Sequence, residues 1–411
     1  MDMNEQFNEI ARGGHMEETA VREIVPTGSS LLDLIVGGGG YPFGKIVNVI
    51  GDSSAGKTLF SCEGIYQAKK LYKDRLKIRY NDAESGFSFD TTELYGFDMR
   101  PHITQTPTIQ GFASDLQSFC KSINKKKGEL GIYVVDSFDG LASDEDIAEF
   151  EERLKAHEDD KEYKKGSYDM GKQKFSSKLF RTLSQTIQEN NVLLIIISQI
   201  RDNIGISFGD QWTVSGGKAL KFYSSVRVFL KTVDKAILEG RQIGTTVKCT
   251  GIKVRAKYPF RSMFVNILFE YGMDEVSTNI DYLFDLREDY GKLKPPATIN
   301  NVAWKEDAVD VNSTSLKEFL EERERLDDAE EYIKDKLNGR KSQKNLIEFI
   351  NSDTDLAAQY VEHFGVIDRD SLIQYIINTE KEDYIAERAV KKWMDVEERI
   401  KPVRKRKTLE D

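Results

Sequence analysis

The sequence predicts an α/β fold with a mostly parallel central sheet, an antiparallel edge and a helical C-terminal region. Several apolar segments are continuous rather than alternating, as in parallel strands that are covered on both faces. A glycine-rich loop follows the first of these segments and leads into a predicted helix. From Val226 onwards, three apolar segments separated by short turns predict antiparallel strands instead.

The composition excludes several classes of protein. The chain has 411 residues, enough for two or three domains, of which 39% are hydrophobic and 31% charged. It has no apolar segment long enough to span a membrane, and residues 1–25 lack the apolar core of a signal peptide. We therefore expect a cytoplasmic protein without a membrane partner. The 3 cysteines and 4 histidines are scattered, which argues against a disulfide framework, a zinc site and a Ser/His/Asp triad.

The net charge of −10 argues against a protein that coats nucleic acid over its whole surface. It remains compatible with a local cationic groove, because affinity for nucleic acid depends on the few cations that contact phosphates.

The first core unit is a strand, a loop and a helix. A helix beginning near Ser29 and a flexible turn at Gly37–Gly40 precede it, Ile46–Ile50 predicts its buried strand and Leu59–Leu71 its helix. The loop fits the pattern G-x-x-x-x-G-K-[ST] and consists of Gly51, Asp52, Ser53, Ser54, Ala55, Gly56, Lys57 and Thr58. Backbone amides of such a loop and the helix N-terminus bind phosphate oxygens. Lys57 can reach the β- and γ-phosphates and Thr58 can hold Mg²⁺, so we expect ATP and Mg²⁺ here.

Three further predicted strands end in polar residues that fall on the same edge of the sheet. They are Lys77–Tyr80 followed by Asn81-Asp82-Ala83-Glu84, Ile132–Val135 followed by Asp136, and Val192–Ser198 followed by Gln199. Ligands bind at the carboxyl ends of parallel strands. Asp136 is predicted to hold Mg²⁺, directly or through water. Glu84 is the candidate general base that orients the attacking water, and Asp82 is an alternative that the sequence leaves open.

The segment from Gln199 to Lys218 has the composition of a nucleic-acid-binding loop. It is rich in glycine, including Gly216 and Gly217, and carries cations such as Arg201 and aromatic residues such as Phe208. Such a loop suits single-stranded nucleic acid, and the alternatives are a substrate lid or a plain surface loop. Gln199, at its start, could sense the γ-phosphate. Lys178, Arg181 and Lys174 are cations on the preceding predicted helix.

The last third of the chain is predicted to form a separate helical domain. The antiparallel segments are Val226–Val233, Thr245–Lys257 and Phe264–Tyr271. Pro295-Pro296 suits a linker, which gives a short N-terminal segment 1–25, a core of residues 26–294 and a C-terminal domain of residues 295–411. Ser315 and Glu318 form a capping box that opens a helix. The segment Lys401–Lys407 is basic.

These motifs, in this order, resemble the RecA recombinases of bacteria and phages. The resemblance rests on the phosphate loop together with Thr27-Gly28-Ser29, Asp82-Ala83-Glu84, Val134-Val135-Asp136-Ser137, Gln199-Ile200-Arg201, Ile204-Gly205 with Phe208-Gly209, and Ser215 to Tyr223. It extends from about Thr27 to Leu286. A generic phosphate-loop ATPase would share the nucleotide-binding residues but not the segment from Gln199 to Tyr223.

The resemblance implies a helical filament on single-stranded DNA, with ATP bound between neighbouring subunits. By motif position, Glu84 would be the catalytic glutamate, Gln199 the switch residue, and 201–217 the second DNA-binding loop, with Phe208 at the bases. Arg255 and Lys257 would reach the γ-phosphate of the adjacent subunit, although the family usually has two lysines there. By the same resemblance, the N-terminal segment would be short for the family's subunit contact, and the charged stretch Asp144 to Lys165 would expand the first DNA-binding loop.

The acidic residues of this stretch would repel the DNA backbone, so Lys178, Arg181 and Lys174 on the following helix would be the better candidates for DNA contact, with a solvated helix face as the alternative. The basic tail Lys401–Lys407 would gather duplex DNA or be a solvated end.

The function that the resemblance implies is that of a DNA-dependent ATPase that forms filaments on single strands and catalyses homologous pairing and strand exchange. Its partners would be single- and double-stranded DNA, other copies of the chain, and a single-strand-binding or mediator protein. The departures from the family pattern are compatible with a phage protein. The alternatives are a non-recombinogenic filament or scaffold protein and a ring-forming motor of the same fold.

Overall fold

The computed structural model describes residues 23–158, 171–202, 212–214, 217–238, 240–256, 258–283, 369–378 and 380–400. Its contacts divide the chain into two compact units, Met1–Asp274 and Glu275–Asp411. The predicted domain boundary at residues 294 and 295 lies outside the described residues, as do the capping box and the basic tail.

A nine-stranded sheet forms the centre of the first unit. The strands of this unit are β1 (Ile24–Val25), β2 (Tyr41–Pro42), β3 (Ile46–Gly51), β4 (Leu76–Asp82), β5 (Ile103–Thr104), β6 (Leu130–Asp136), β7 (Val192–Gln199), β8 (Arg201–Asp202), β9 (Trp212–Thr213), β10 (Val226–Leu238), β11 (Arg241–Val254), β12 (Ser262–Leu268) and β13 (Gly272–Met273). The sheet has the order β13-β12-β11-β10-β3-β7-β6-β4-β5. Neighbouring strands pair in parallel along the part of the sheet β10-β3-β7-β6-β4-β5. Along the other part, β10-β11-β12-β13, they pair antiparallel. The predicted α/β fold, with its parallel sheet and antiparallel edge, is confirmed.

The antiparallel strands are positioned differently from the prediction. β10 extends as far as Leu238, and β11 already begins at Arg241. Their hairpin is therefore longer than the apolar segments suggested. Lys235 and Arg241 in this extension are exposed. Sequence pattern reports burial, whereas strand pairing also continues through exposed residues, so the pattern underestimated the hairpin.

Helices flank the sheet of the first unit. They are α1 (Ser30–Ile35), α2 (Lys57–Tyr72), α3 (Thr91–Tyr95), α4 (Ile109–Ser122), α5 (Asp144–Glu158), α6 (Gly171–Glu189) and α7 (Gly217–Tyr223). The predicted helix after the phosphate loop is therefore present and begins at Lys57 itself. The acidic stretch that begins at Asp144 forms α5, and its continuation at residues 159–170 lies outside the described residues.

The core on one face of the sheet anchors the segment that follows β6. Phe138 is fully buried and its ring lies 6.3 Å from that of Phe112 and 5.5 Å from that of Phe180. Burying such a ring contributes about 1.5–3 kcal/mol to stability. The neighbours of Phe138 on either side, Ser137 and Asp139, are thereby held at the carboxyl edge of the sheet.

The described part of the second unit is helical. It contains α8 (Glu275–Leu283), α9 (Arg369–Asn378) and α10 (Glu382–Arg399). Arg369 forms an ion pair with Asp281, and Lys392 Nζ donates to the backbone oxygens of Tyr282 and Leu283 at 2.8 and 2.9 Å. A cation at the carboxyl end of a helix satisfies free carbonyls and favours the helix dipole. In the described parts of the chain, no helix has the length and apolar character needed to cross a membrane.

Candidate nucleotide site

The phosphate loop connects β3 to α2 in a conformation that depends on its glycines. Gly56 precedes α2 with φ of 78°, a left-handed conformation that residues with a Cβ rarely adopt. At Gly51 a Cβ would lie 2.6 Å from the backbone oxygen of Leu230 on β10. The loop therefore begins against a neighbouring strand and ends at the N-terminus of a 16-residue helix, where phosphate oxygens are favoured.

Lys57 lies folded over this loop. Its side chain is 8% exposed, and its Nζ donates to the backbone oxygens of Gly51 and Asp52 at 3.1 and 2.5 Å. Burial lowers the pKa of the Lys57 ammonium below its usual value, and nearby carboxylates, Asp136 foremost, oppose this change. A buried cation whose hydrogen bonds within the described residues go to loop carbonyls is suited to a phosphate anion.

Thr58 and Asp136 are brought together, as the sequence predicted. Thr58 Oγ1 donates to Asp136 Oδ2 at 2.7 Å. Burial raises the pKa of the Asp136 carboxyl, and hydrogen bonds from Tyr80 and Thr58 oppose that shift. A hydroxyl and a carboxylate side by side form the hard oxygen donor set that Mg²⁺ prefers, so these residues fit the expected ion.

Glu84 and Gln199 also meet. Gln199 Nε2 lies 3.3 and 3.4 Å from the two carboxylate oxygens of Glu84, and Ser137 Oγ donates to Glu84 Oε1. The register of the parallel strands places Gln199 beside Gly51, the first residue of the phosphate loop. Strands far apart in sequence thus bring the predicted base and the predicted switch residue to one edge of the sheet.

The alternative base, Asp82, has a different environment. Its two carboxylate oxygens accept hydrogen bonds from the backbone N–H groups of Gly86 and Phe87 at 3.1 and 3.0 Å. Asp82 is buried, whereas Glu84 is exposed. The geometry therefore favours Glu84 as the residue available to a water, because Asp82 is engaged in holding its own turn.

Three residues to which the sequence analysis assigned no function also lie at the site. Tyr80 Oη donates to Asp136 Oδ2 at 2.6 Å, Ser137 contacts Glu84 as described, and Asp139 Oδ2 accepts the backbone N–H of Gln199 at 2.9 Å. Ser137 and Asp139 follow Asp136 closely, which was the available signal. Tyr80 reaches Asp136 only through strand pairing, because Asp82 of β4 pairs with Asp136 of β6.

A model of the RecA N-terminal domain matches residues 3–274, more than half of the chain. The chain belongs to the RecA family. Protein RecA of Lactobacillus acidophilus is 30% identical over 277 residues, which cover 67% of this chain and 70% of that relative. Protein RecA of Chloroherpeton thalassium is 31% identical over 266 residues, covering 64% and 68% respectively. Among solved structures, the RadB recombinase is similar with a TM-score of 0.43 and 17% identity, covering 61% of this chain and 98% of that chain.

At family level, RecA proteins are DNA-dependent ATPases of recombination and repair that use ATP with Mg²⁺. The predicted RecA-like fold is thus confirmed, and the site described above lies within the matched residues.

The base of the predicted DNA-binding loop of this RecA-family chain is closed by a short ladder. Arg201 pairs with Thr213 and Asp202 with Trp212 in antiparallel β8 and β9, directly after Gln199. Residues 203–211, with Phe208, lie outside the described residues, as does Gly216. Gly217 begins α7, on which Lys218 is exposed.

The other predicted cations lie on different elements of the RecA-family core. Lys178 and Arg181 are both exposed on α6, whereas Lys257 lies outside the described residues. Arg255 Nη2 donates to the backbone oxygen of Phe222 at 2.7 Å, at the carboxyl end of α7. Lys253 Nζ donates to the backbone oxygens of Lys221 and Phe222, also at 2.7 Å, and burial lowers its pKa to about 8. Arg255 thus contacts the helix that follows the predicted DNA-binding loop.

Proposed function

We propose that this RecA-family protein is a DNA-dependent ATPase that forms filaments on single-stranded DNA and catalyses homologous pairing and strand exchange. One observation carries the proposal. The Gln199 side chain contacts Glu84, while the main chain after Gln199 enters the ladder that closes the loop of residues 203–211. A movement of the Glu84 carboxylate during hydrolysis can therefore be transmitted to the loop through Gln199 alone.

Lys57, Thr58 and Asp136 are the residues proposed to hold the phosphates of ATP and the Mg²⁺ bound to them. The Lys57 ammonium leaves the carbonyls of its own loop for phosphate oxygens, and the loop amides surround those oxygens. Thr58 and Asp136 provide the oxygens for Mg²⁺, which when bound neutralises charge on the phosphates.

Glu84 is the proposed general base. Its carboxylate accepts hydrogen bonds from Ser137 and Gln199, so both oxygens are oriented before a water arrives. When Gln199 turns away towards a γ-phosphate, Glu84 gains an oxygen with which to accept the proton of the attacking water. Asp139 keeps the backbone of Gln199 in place during that rotation.

DNA contact is proposed for the loop of residues 201–217 and for the cations near it. Arg201, Phe208, Gly216, Gly217 and Lys218 belong to this loop and its continuation, with Phe208 stacking on or between bases. Lys178 and Arg181 of α6 add exposed positive charge. Base pairing then provides sequence discrimination, since backbone and stacking contacts are independent of sequence.

Assembly of copies is proposed to complete the nucleotide site. Arg255 and Lys257 would meet the γ-phosphate of a neighbouring copy, and residues 1–25 would form a subunit contact. We further propose that residues 26–294 act as the ATPase core and residues 295–411 as a helical domain whose basic tail gathers duplex DNA. Any single-strand-binding or mediator protein would act on this filament.

The test compares Lys57→Ala with Lys70→Ala, a control that removes an exposed lysine at the far end of the same helix. Lys57→Ala should reduce ATP-dependent strand exchange to background, because the buried cation no longer meets the phosphates, and Lys70→Ala should retain it.

Electron microscopy with single-stranded DNA and a slowly hydrolysed ATP analogue should show helical filaments of the wild type. Rings would indicate the motor, and filaments without strand exchange would indicate the scaffold protein.

A further inference from the structure

We propose that Tyr80 is a positioning residue for the Asp136 carboxylate, and that its hydroxyl sets how tightly the site takes a divalent cation. This inference rests on the proposed function, because it assigns Asp136 to the cation. Tyr80 itself does not touch the substrate; it acts through Asp136.

The hydrogen bonds to Asp136 converge on one oxygen. Tyr80 Oη donates to Oδ2 at 2.6 Å and Thr58 Oγ1 donates to the same oxygen at 2.7 Å. Among the described residues, no side-chain hydrogen bond reaches Oδ1. Thr58 is itself a proposed cation ligand, and its hydroxyl oxygen would offer a lone pair to the cation while its O–H still donates to Asp136. Tyr80 is the other donor to this oxygen and has no proposed contact with the cation, so its effect on the site is to orient the Asp136 carboxylate.

Tyr80 is itself held from two sides. It is fully buried on β4, and the Phe87 ring packs edge-on against it with centroids 4.9 Å apart. Phe87 in turn is fixed because its backbone N–H donates to Asp82 Oδ2. A phenol locked in this way keeps its hydroxyl directed at Asp136, which gives Asp82 a positioning function in place of the catalytic one.

The Tyr80 hydroxyl acts as a hydrogen-bond donor to the Asp136 carboxylate. Removing the hydrogen-bond partner of a metal-binding side chain typically weakens metal affinity by about 10- to 100-fold. Loss of the Tyr80 hydroxyl leaves the carboxylate free to rotate away from the geometry that a divalent cation needs.

The experiment uses Tyr80→Phe in the full chain, with Tyr133→Phe as the matched control. Tyr133 is another fully buried tyrosine, on the adjacent strand β6, and its hydroxyl also donates to a carboxylate, that of Asp115, at 2.7 Å. Binding of Mn²⁺ in the presence of ADP is measured by electron paramagnetic resonance. Binding of a fluorescent ATP analogue in EDTA is measured alongside, because it needs no cation.

Tyr80→Phe should raise the dissociation constant for Mn²⁺ about tenfold or more, while Tyr133→Phe changes it less than twofold. Binding of the nucleotide analogue in EDTA should be equal in all three proteins. A second variant, Phe87→Leu, loosens the ring and should give a smaller loss of Mn²⁺ affinity in the same direction.

Equal Mn²⁺ affinity of Tyr80→Phe and wild type would overturn the inference and leave the proposed function intact. Equal losses in Tyr80→Phe and Tyr133→Phe would also overturn it, since they would reflect a general effect on the sheet. Failure of the wild type to bind nucleotide or Mn²⁺ would instead overturn the proposed function, and the inference with it.

Discussion

At the phosphate loop, Lys57, Tyr80 and Asp136 are buried or partly buried, and each has defined partners within the chain. Around α7, Lys218 and Arg255 are exposed, and the contacts of Arg255 and Lys253 are with backbone oxygens at the end of that helix. A buried charge needs hydrogen-bond or ion-pair partners within the folded chain, whereas an exposed cation is hydrated and can bind a ligand later. The residues of the proposed nucleotide site are therefore satisfied within one chain, whereas the region around α7 has exposed cations, for which we propose contacts with DNA and with a neighbouring copy.

The largest effect that would sharpen this comparison is expected at Glu84. Glu84→Gln should lower ATP hydrolysis about 100-fold or more while ATP binding persists, because a general base contributes about 10²–10⁴-fold. Asp82→Asn should keep much more activity but lower the melting temperature, since Asp82 holds the backbone of Gly86 and Phe87. Steady-state hydrolysis on single-stranded DNA and thermal unfolding of both variants provide the measurements. The reverse ranking of the two activities would assign the base to Asp82.

An intermediate effect is expected at the connection between the two regions. Gln199→Ala should leave ATP binding within about twofold and reduce the stimulation of hydrolysis by DNA about tenfold, because its side chain joins Glu84 to the β8–β9 ladder. Gln185→Ala, on the exposed surface of α6, is the control. Hydrolysis is measured with and without single-stranded DNA. Full stimulation in Gln199→Ala would show that the regions communicate by another route.

The smallest expected effect is a pH dependence of the melting temperature that arises from Lys253, at the carboxyl end of α7. The pKa of Lys253 is lowered to about 8 by burial, beside Arg255 and Arg227. A depressed pKa in the folded chain means that the contribution of Lys253 to stability falls as pH drops through about 8, and is fully present only above its unfolded pKa near 10.5. The melting temperature of the wild type relative to Lys253→Met should therefore rise by a few degrees between pH 7 and pH 10. Lys235→Met, at an exposed position of the hairpin, should show no such trend.

Much of the nucleotide site could be predicted because its motif is local. The strand from Ile46, the loop at Gly51–Thr58 and the following helix are adjacent in sequence, and backbone propensities over a few residues determine them. The polar ends of β6 and β7 were predictable for a related reason, since parallel strands share one carboxyl edge. The length of the β10–β11 hairpin was not, because exposed strand residues carry no burial pattern.

The sequence by itself determined the RecA-like order of elements and the placement of Lys57, Thr58, Asp136 and Gln199 at one edge of a sheet. Only the tertiary structure brought Tyr80 to Asp136 and Asp139 to Gln199, and separated the environments of Glu84 and Asp82. The physical reason is strand register: side chains more than 50 residues apart meet according to how β4, β6 and β7 align. That alignment results from packing of the whole sheet rather than from local propensity.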